Sequence, residues 1–566
     1  MKKTTFTYLL LFIAANFMFA GGIVTNTNQS ASWIRSMARD ASVDVDAVFY
    51  NPAGLTRMQD GFYFQINSQT VNQTRTITST FPTINTDTYT GSTNVPFLPT
   101  GFIAYKKNKL AVSAGFTVIG GGGGAVFEKG LPEFEYQMSG LPAALAGLAP
   151  VGQQAGVDLS VTGYDAKVNF EGTSAYYGIQ AGVSYQINDM ISVGIGGRYI
   201  MANNSYAGAI KDISVVTPSG NMRADAFMTT KAIPTINGVK TQLQGNINQL
   251  TPVSQAIGAL VAGGAGGFTL AQLQQAGLIT AEQATQLTGV LILLGQNPQT
   301  TTVQQFGNVV NATLTTLNTN VATLTGTASA LQAQAAQLGD KEVDVTQSGS
   351  GFTPIVSVDL EFMEGKLGIG LKYEHKTNMK VTTKVTKDDV GLYTDGEEVT
   401  ANIPAMLSVG LRVKPIEKLR IQAGYHYYLD NGASYGRKDD AGNFVNNGES
   451  VLIGGTTTTY LAGNSYEAAV GLEFDVIKML TLSGGFLMTA SNPNAVFQSA
   501  LSHTLKTKTF GFGARVNLTS RIGIDLAYSL TDYDVYTKDF GTGTGAYQES
   551  YDRTANVFAA GLTLKL

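Results

Sequence analysis

From about residue 60 to the end of the chain, apolar and polar or small residues alternate one by one in short runs separated by polar turns. Successive side chains of a strand point to opposite faces, so each run predicts a strand with one apolar and one polar face. In 418–430, Leu419, Ile421, Ala423, Tyr425, Tyr427 and Leu429 share one face, and Arg420, Gln422, Gly424, His426, Tyr428 and Asp430 share the other. The division recurs at 466–476, where Tyr466, Val470, Leu472 and Phe474 oppose Glu467, Gly471, Glu473 and Asp475. It recurs again at 521–530, and the last run places Phe558, Ala560, Leu562, Leu564 and Leu566 on one face. Fourteen such segments are predicted, at 62–71, 98–106, 109–119, 173–187, 190–202, 351–363, 366–375, 401–414, 418–430, 463–475, 478–489, 504–519, 520–533 and 553–566.

The connections alternate too. Short turns around Lys107-Asn108, Asn188-Asp189, Glu364-Gly365, Ile416-Glu417, Ile477 and Thr519-Ser520 are interleaved with much longer loops. Long strands of even number with alternating short and long connections are the pattern of a barrel that lies in lipid. Soluble sandwiches and propellers also alternate, but without this regular change of loop length. Set against lipid, the charged faces would cost about 2–4 kcal/mol for one Arg or Lys at mid-depth, so they must face the lumen.

The N-terminus adds an address. Lys2 and Lys3 precede the apolar run Phe6 to Phe19, and Ala20-Gly21-Gly22 follows. That is the layout of a secretory signal, expected to span 1–20 and to be cut after Ala20. The run is shorter than the roughly 20 residues a spanning helix needs, and no later stretch is long and apolar enough to be one. An exported chain with this ladder is expected in the outer membrane of a Gram-negative bacterium, as a monomer surrounded by lipid. Its 65 glycines, 25 tyrosines and 27 phenylalanines agree with a barrel between two solvents. A net charge of -4 gives no basic footprint for nucleic acid, and the absence of cysteine removes thiolate chemistry.

About 40 residues stand between the signal and the first strand, more than a barrel terminus needs. Residues 21–60 mix polar groups with Trp33, Ile34, Met37, Val43, Val45, Val48, Phe49 and Leu55, and end in VFYNPAGLTRM. Asn51-Pro52 signals a turn, and a compact plug inside the barrel is the physically sensible place for such a segment. The stretch NQSASWIRSMARDASVDVDAVFYNPAGL, with NPA at Asn51, Pro52 and Ala53 followed by Gly54, resembles the FadL-type outer-membrane transporters of long-chain fatty acids and related hydrophobic compounds. The resemblance implies an all-β fold: a 14-stranded antiparallel transmembrane β-barrel, 61–566, with an N-terminal hatch, 21–60, in the lumen. It also implies loop capture of a hydrophobic or amphipathic small molecule, a lumen pocket, hatch rearrangement, and exit through a kink in the third strand. Gly115, Gly120 and Gly121 are the candidates for that kink, because glycine permits a bend and leaves a gap in the wall.

The connection 203–350 departs from sheet logic. It is rich in Ala, Gln, Leu, Thr and Asn, and reads as a long helical extracellular loop. Thr269 with Gln272 and Thr280 with Gln283 have capping-box spacing, and Gly277 and Gly295 offer stops. Leu314, Leu317, Val321, Leu324, Ala328, Leu331, Ala335 and Leu338 form an apolar stripe. Its role is a ligand-collecting cap, helices that pack only on one another, or a low-complexity tract that is partly disordered.

Little else carries chemistry. His375, His426 and His503 lack metal-like spacing, no phosphate-cradling motif follows the glycine run, and neither cofactor nor metal is expected. His426 with Asp430 is the one pair resembling the start of a catalytic arrangement, and an ordinary lumen filler is the simpler expectation. Lumen-facing Arg198, Arg412, Arg420, Glu467, Glu473 and Arg515 read as a charge network around the plug. Among them Arg198, Arg412, Arg420 and Arg515 are candidate partners for a ligand carboxylate. Passive, non-enzymatic passage of hydrophobic molecules is thus the leading expectation. The alternatives are a general polar porin, or an adhesin or enzyme displaying the helical insertion.

Overall fold

The structure, a computed structural model, describes residues 26–121, 124–439, 441–453 and 456–566. The expected signal segment 1–20 lies outside the described residues. The chain divides into two compact units: Met1–Tyr136, Lys167–Ile210 and Lys341–Leu566 form one, and Gln137–Ala166 with Lys211–Asp340 the other.

Fourteen long strands build the barrel: β1 Gly61–Ser79, β2 Thr88–Lys107, β3 Leu110–Gly121, β4 Gly163–Gln186, β5 Ile191–Thr217, β6 Lys341–Phe362 and β7 Leu367–Glu374 make its first half. The second half is β8 Met406–Ile416, β9 Leu419–Tyr428, β10 Leu461–Ile477, β11 Leu480–Pro493, β12 Thr507–Asn517, β13 Ile522–Tyr533 and β14 Tyr547–Lys565. Each pairs antiparallel with its neighbours, and β14 pairs with β1 from Lys565 opposite Tyr63 to Glu549 opposite Ser79, which closes the ring. Pairing the last strand with the first leaves the sheet without a free edge strand for another chain to extend.

Alternation sorts the side chains as the sequence pattern predicts. On β9, Gln422, Gly424, His426 and Tyr428 are buried, while Tyr425 is exposed. The outward set forms a band of bare apolar side chains, with Phe352 58%, Phe512 55% and Phe558 55% exposed. So large a contiguous apolar surface is at rest only in apolar surroundings. No helix among the described residues is long and apolar enough to cross a membrane, which leaves the strands as the only elements that could.

Several strands run well past their predicted ends. β5 and β6 pair from Ile191 opposite Leu360 to Ile210 opposite Lys341, so strand occupies both margins of the segment predicted as helical, 203–350. The helical part is confined to 224–335. Outside an apolar solvent the outer face of a strand can be polar, and the alternation that marks it fades.

In the second unit, helices Ile233–Leu260 and Val303–Ala335 pack along one another. The apolar stripe of the latter is half-buried through Leu314, Leu317, Val321 and Leu324, and fully buried at Leu331 and Ala335. A core of Ile257, Leu270, Leu273, Leu287, Leu291, Val303, Phe306 and Val310 joins the shorter helices to them. Capping boxes form at Thr269/Gln272 and Thr280/Gln283, and a third at Thr302/Gln305. Gly277 and Gly295, at φ 71° and 72°, end their helices in the left-handed region.

Candidate functional site

The segment before β1 is buried almost throughout, from Gln29 to Thr56. Helix α1, Ala31–Ser36, starts at Ser30, whose Oγ accepts from Trp33 N at 2.9 Å, and stops at Met37, which turns left-handed at φ 63°. Helix α2, Ala47–Tyr50, follows a turn tied by Arg39, which pairs with Asp46 at 2.8 Å and Asp44 at 2.6 Å. The Tyr50 hydroxyl donates to Thr27 O at 2.6 Å and accepts from Gln29 N at 2.8 Å, closing the segment on itself.

The NPA turn is where this segment fastens to the barrel. The Asn51 Nδ2 donates to Asp359 Oδ2 on β6 at 2.9 Å and to Ser42 O at 3.2 Å. Pro52 O accepts from Ser184 on β4, and Ala53 N donates to Ser357 on β6. Gly54 admits no side chain: a Cβ there would sit 2.3 Å from Ser42 O and 2.5 Å from Asn51 Nδ2. Arg57, at the end of the following turn, pairs with Asp359 at 2.9 Å.

Charged lumen groups grip the rest. Arg35, fully buried, reaches Asp525 on β13 at 2.8 Å and Glu473 on β10 at 2.5 Å. Asp40 accepts from Ser408 on β8 at 2.9 Å and bonds His426 Nε2 on β9 at 2.6 Å, whose Nδ1 meets Glu467 at 2.8 Å. Burial pushes the Asp40 carboxyl up, but His426, then Lys372 and Ser408, outweigh it and hold it below its ordinary 3.8. Burial acts likewise on Asp44, and Arg39 and Arg515 more than offset it, so that carboxyl also stands well below the usual range.

Glycines let the segment come this close. Gly370, Gly410 and Gly424 are register partners on β7, β8 and β9, and Gly471, Gly485 and Gly511 on β10, β11 and β12. A Cβ on any of the six would fall within 2.1–2.3 Å of Asp40, Ser36 or Ile34. The inner wall therefore carries a belt shaped to the backbone of α1 and the turn after it.

The wall itself is interrupted at the third strand. β3 pairs with β2 only as far as Phe116 opposite Gly101, and its register with β4 shifts between Val118 and Gly120. Gly115 keeps regular partners, Phe102 and Gln180, so the irregularity lies at Val118–Gly121, where Gly121 has φ 76°. The carbonyls released there are taken by the leading segment: Asn26 N donates to Ile119 O, Asn26 Nδ2 to Gly121 O, and Gln29 Nε2 to Val118 O.

Beside this interruption lies a cavity of about 440 Å³. Asn26, Thr27, Asn28 and Trp33 of the leading segment form one side, and Val71, Leu98, Ile119, Gly120 and Gly121 bring it to the break in the wall. Leu487, Leu501, Leu505 and Val557 add apolar surface, and Thr509, Ser529 and Thr531 hydroxyls. A narrow extension reaches Phe49, Arg198, Lys372 and His426.

The four arginines proposed for a ligand carboxylate already have protein acids. Arg198 pairs with Glu374 at 2.7 Å, Arg412 with Glu361 at 3.1 Å, and Arg420 with Glu473 at 3.0 Å and Asp475 at 2.8 Å. Arg515 stands 3.8 Å from Asp525 and 3.9 Å from Asp44. Arg412 and Arg198 also reach the leading segment: Arg412 donates to Ala41 O, and Arg198 lies 4.7 Å from the Phe49 ring. His426 is not joined to Asp430, which accepts from Ser465 N; both its ring nitrogens are engaged by Asp40 and Glu467, leaving none to act as a base. Among the described residues no cluster of acids and histidines could hold a metal ion.

Missed in the sequence were two cavity arginines, Arg75 and Arg553, and His503 beside them. Strand parity places both arginines inward, but Arg75 lies beyond the predicted strand 62–71 and Arg553 at the first position of 553–566, where the alternation fades.

These features define a class: a closed fourteen-stranded barrel whose own leading segment is packed against its inner wall, with a cavity at a break in the third strand. Solved structures share the fold. A FadL homologue from Pseudomonas aeruginosa matches with TM-score 0.54 and 12% identity, over 96% of this chain and 99% of that one. The toluene transporter TodX of Pseudomonas putida is a weaker match, with TM-score 0.45 and 12% identity over 92% of this chain and 94% of its own. No protein family profile matches the sequence, and no curated protein matches it. The chain thus has the FadL-type fold, at a distance in sequence where fold alone is shared.

Proposed function

We propose that this chain is an outer-membrane channel through which hydrophobic molecules pass passively, from a loop surface into the lumen cavity and out sideways through the wall. The observation that carries this reading is that the cavity reaches the interruption between β2 and β3, where Gly120 and Gly121 line it. An apolar solute leaving there enters the hydrocarbon phase directly and never crosses water as a bare chain. The exposed apolar band, the resemblance of the NPA segment, and the fold shared with the FadL homologue support the same placement.

In this reading residues 26–60 are the hatch. Asn26 and Gln29 bond the carbonyls that the kink releases, so a shift of the hatch's first residues uncovers the exit without unfolding the barrel. The NPA turn and the arginine network are its fixed end. The helical unit, 224–335, is the collecting surface: its exposed faces carry Phe268, Leu278, Ile292 and Leu293, and hardly any charge. A general polar porin needs an open bore, whereas here the leading segment is buried against the inner wall.

Filling the exit tests the route. Gly120→Phe is expected to lower uptake of labelled oleate by cells at least fivefold, while the barrel still migrates as folded and Trp33 emission is unchanged. Full uptake by that variant, folded, would overturn sideways exit.

A further inference from the structure

The short turns of the barrel share a composition for which the route through the lumen has no use. Lys107 stands at the turn from β2 to β3, Lys366 at that from β6 to β7, Lys414 and Lys418 from β8 to β9, Lys478 from β10 to β11, and Arg521 from β12 to β13. Among the described residues none of them is ion-paired, whereas the neighbouring Lys106 is held by Asp60 at 2.6 Å. At the remaining turn, from β4 to β5, the guanidinium of Arg57 donates to Asp189 O at 2.7 Å and to Met190 O at 2.9 Å. Asp189, Glu364 and Glu417 are the acids on these turns, so this end of the barrel is basic although the whole chain carries a net charge of -4.

The cations have bare apolar neighbours. Met363, 72% exposed, stands beside Lys366; Ile416 lies between Lys414 and Lys418, Ile477 and Met479 flank Lys478, and Leu518 precedes Arg521, all of them exposed. These side chains continue the outer band. Leu472, Phe474 and Val476 lead along β10 to Ile477, and Val183 and Tyr185 lead along β4 to Ile187, each exposed. The far ends of the strands differ. β5 has 27 residues, of which about 9–11 suffice to cross a hydrocarbon core, and its exposed Val193, Ile195 and Tyr199 all lie in the third next to the short turn. The apolar boundary on this side therefore runs along the short turns themselves. A cation on a long apolar stem at that depth stands among lipid head groups, its methylenes on the apolar side chains and its charge toward water.

We propose that the rim of short turns is a docking surface for the phosphate heads of anionic phospholipids, which gather around this end of the barrel in preference to zwitterionic ones. The proposal rests on the barrel lying in a membrane, as the transport reading requires, and adds which lipid borders it. Short turns face the periplasm in outer-membrane barrels, so the leaflet concerned is the inner one. An unpaired Lys or Arg beside a negative lipid surface favours association by about fivefold. Screening beyond about 10 Å keeps acids at the far ends of the strands from cancelling that attraction.

The chain has no cysteine, so Met479→Cys carries a bimane label at the rim and Met488→Cys carries one farther along β11, both at exposed positions. Each full chain is placed in phosphatidylcholine vesicles that hold a minority of brominated phosphatidylglycerol or of brominated phosphatidylcholine. At the rim label, quenching by the phosphatidylglycerol is expected to be at least threefold the stronger, and at the Met488→Cys label the two lipids should quench alike. Lys366→Gln, Lys414→Gln, Lys418→Gln and Lys478→Gln together should remove the preference while the barrel still migrates as folded. Molar sodium chloride should weaken it in the barrel that keeps its lysines, a readout that does not depend on how the variant folds. Equal quenching at the rim by the two lipids would overturn the inference and leave hydrophobic transport standing. The same preference at both labels would make it a property of the whole band and overturn the rim. Its loss in millimolar inorganic phosphate would assign the cations to a free anion, and its loss in poly-glutamate at equal ionic strength would assign them to an acidic polypeptide; either overturns the lipid. Quenching at neither label would take the barrel out of lipid and overturn the transport reading as well.

Discussion

Arg35 shows what one side chain does in the docked segment. It is buried between Asp525 and Glu473, so Arg35→Ala leaves two acids without their cation inside the barrel. Breaking a buried pair from one side costs about 3–5 kcal/mol, and the loss is expected to appear as a lower midpoint for thermal exposure of Trp33. Trp33, the chain's one tryptophan, is buried on α1 against the cavity and reports the docked state directly. Acid should undock it late. Asp40 and Asp44 have docked pKa values below the ordinary 3.8, so their contribution is full above that value and is lost as pH falls through the lower docked values. Trp33 emission is therefore expected to hold from neutral pH to about 4 and to shift red only below it; a shift between pH 7 and 5 would contradict this assignment. Side-chain parity made the inward position of the wall residues Glu473 and His426 legible in the sequence. Their partners were not, because Arg35 and Asp525, or Asp40 and His426, are joined only by the closing of the ring.

The elements with a strong period were the most legible. Alternation located all fourteen strands and their short turns, and three-four spacing with capping boxes located the helices. What escaped was strand that lies outside the apolar band, as at 203–217 and 341–350, where nothing compels an apolar face. The glycine belt escaped for another reason: each glycine reads as a weak strand residue until register aligns it with its neighbours and with the backbone of α1. Gly485→Leu is expected to push α1 off the wall, seen as a rise in channel conductance in planar bilayers and in acrylamide quenching of Trp33. Unchanged conductance in that variant, folded, would show that the segment tolerates the intrusion. The helical unit is compact in itself, so replacing 224–335 by a short turn should leave the barrel folded and lower hydrophobic uptake. Undiminished uptake would remove it from the route.

At the scale of the whole molecule, three surfaces divide the work: an apolar band outside, a charged and glycine-lined wall inside, and a cavity between that wall and the leading segment. The cavity reaches the break at β3 through Gly120 and Gly121, and under the proposed function an apolar solute leaves there, whereas a hydrated one meets the buried leading segment. The most direct measurement is uptake of labelled oleate and of a labelled trisaccharide by Gram-negative cells whose outer membrane carries this protein in place of their own channels. The account predicts oleate entry well above that of cells without the protein, and no gain for the sugar. Entry of the sugar without oleate would contradict it.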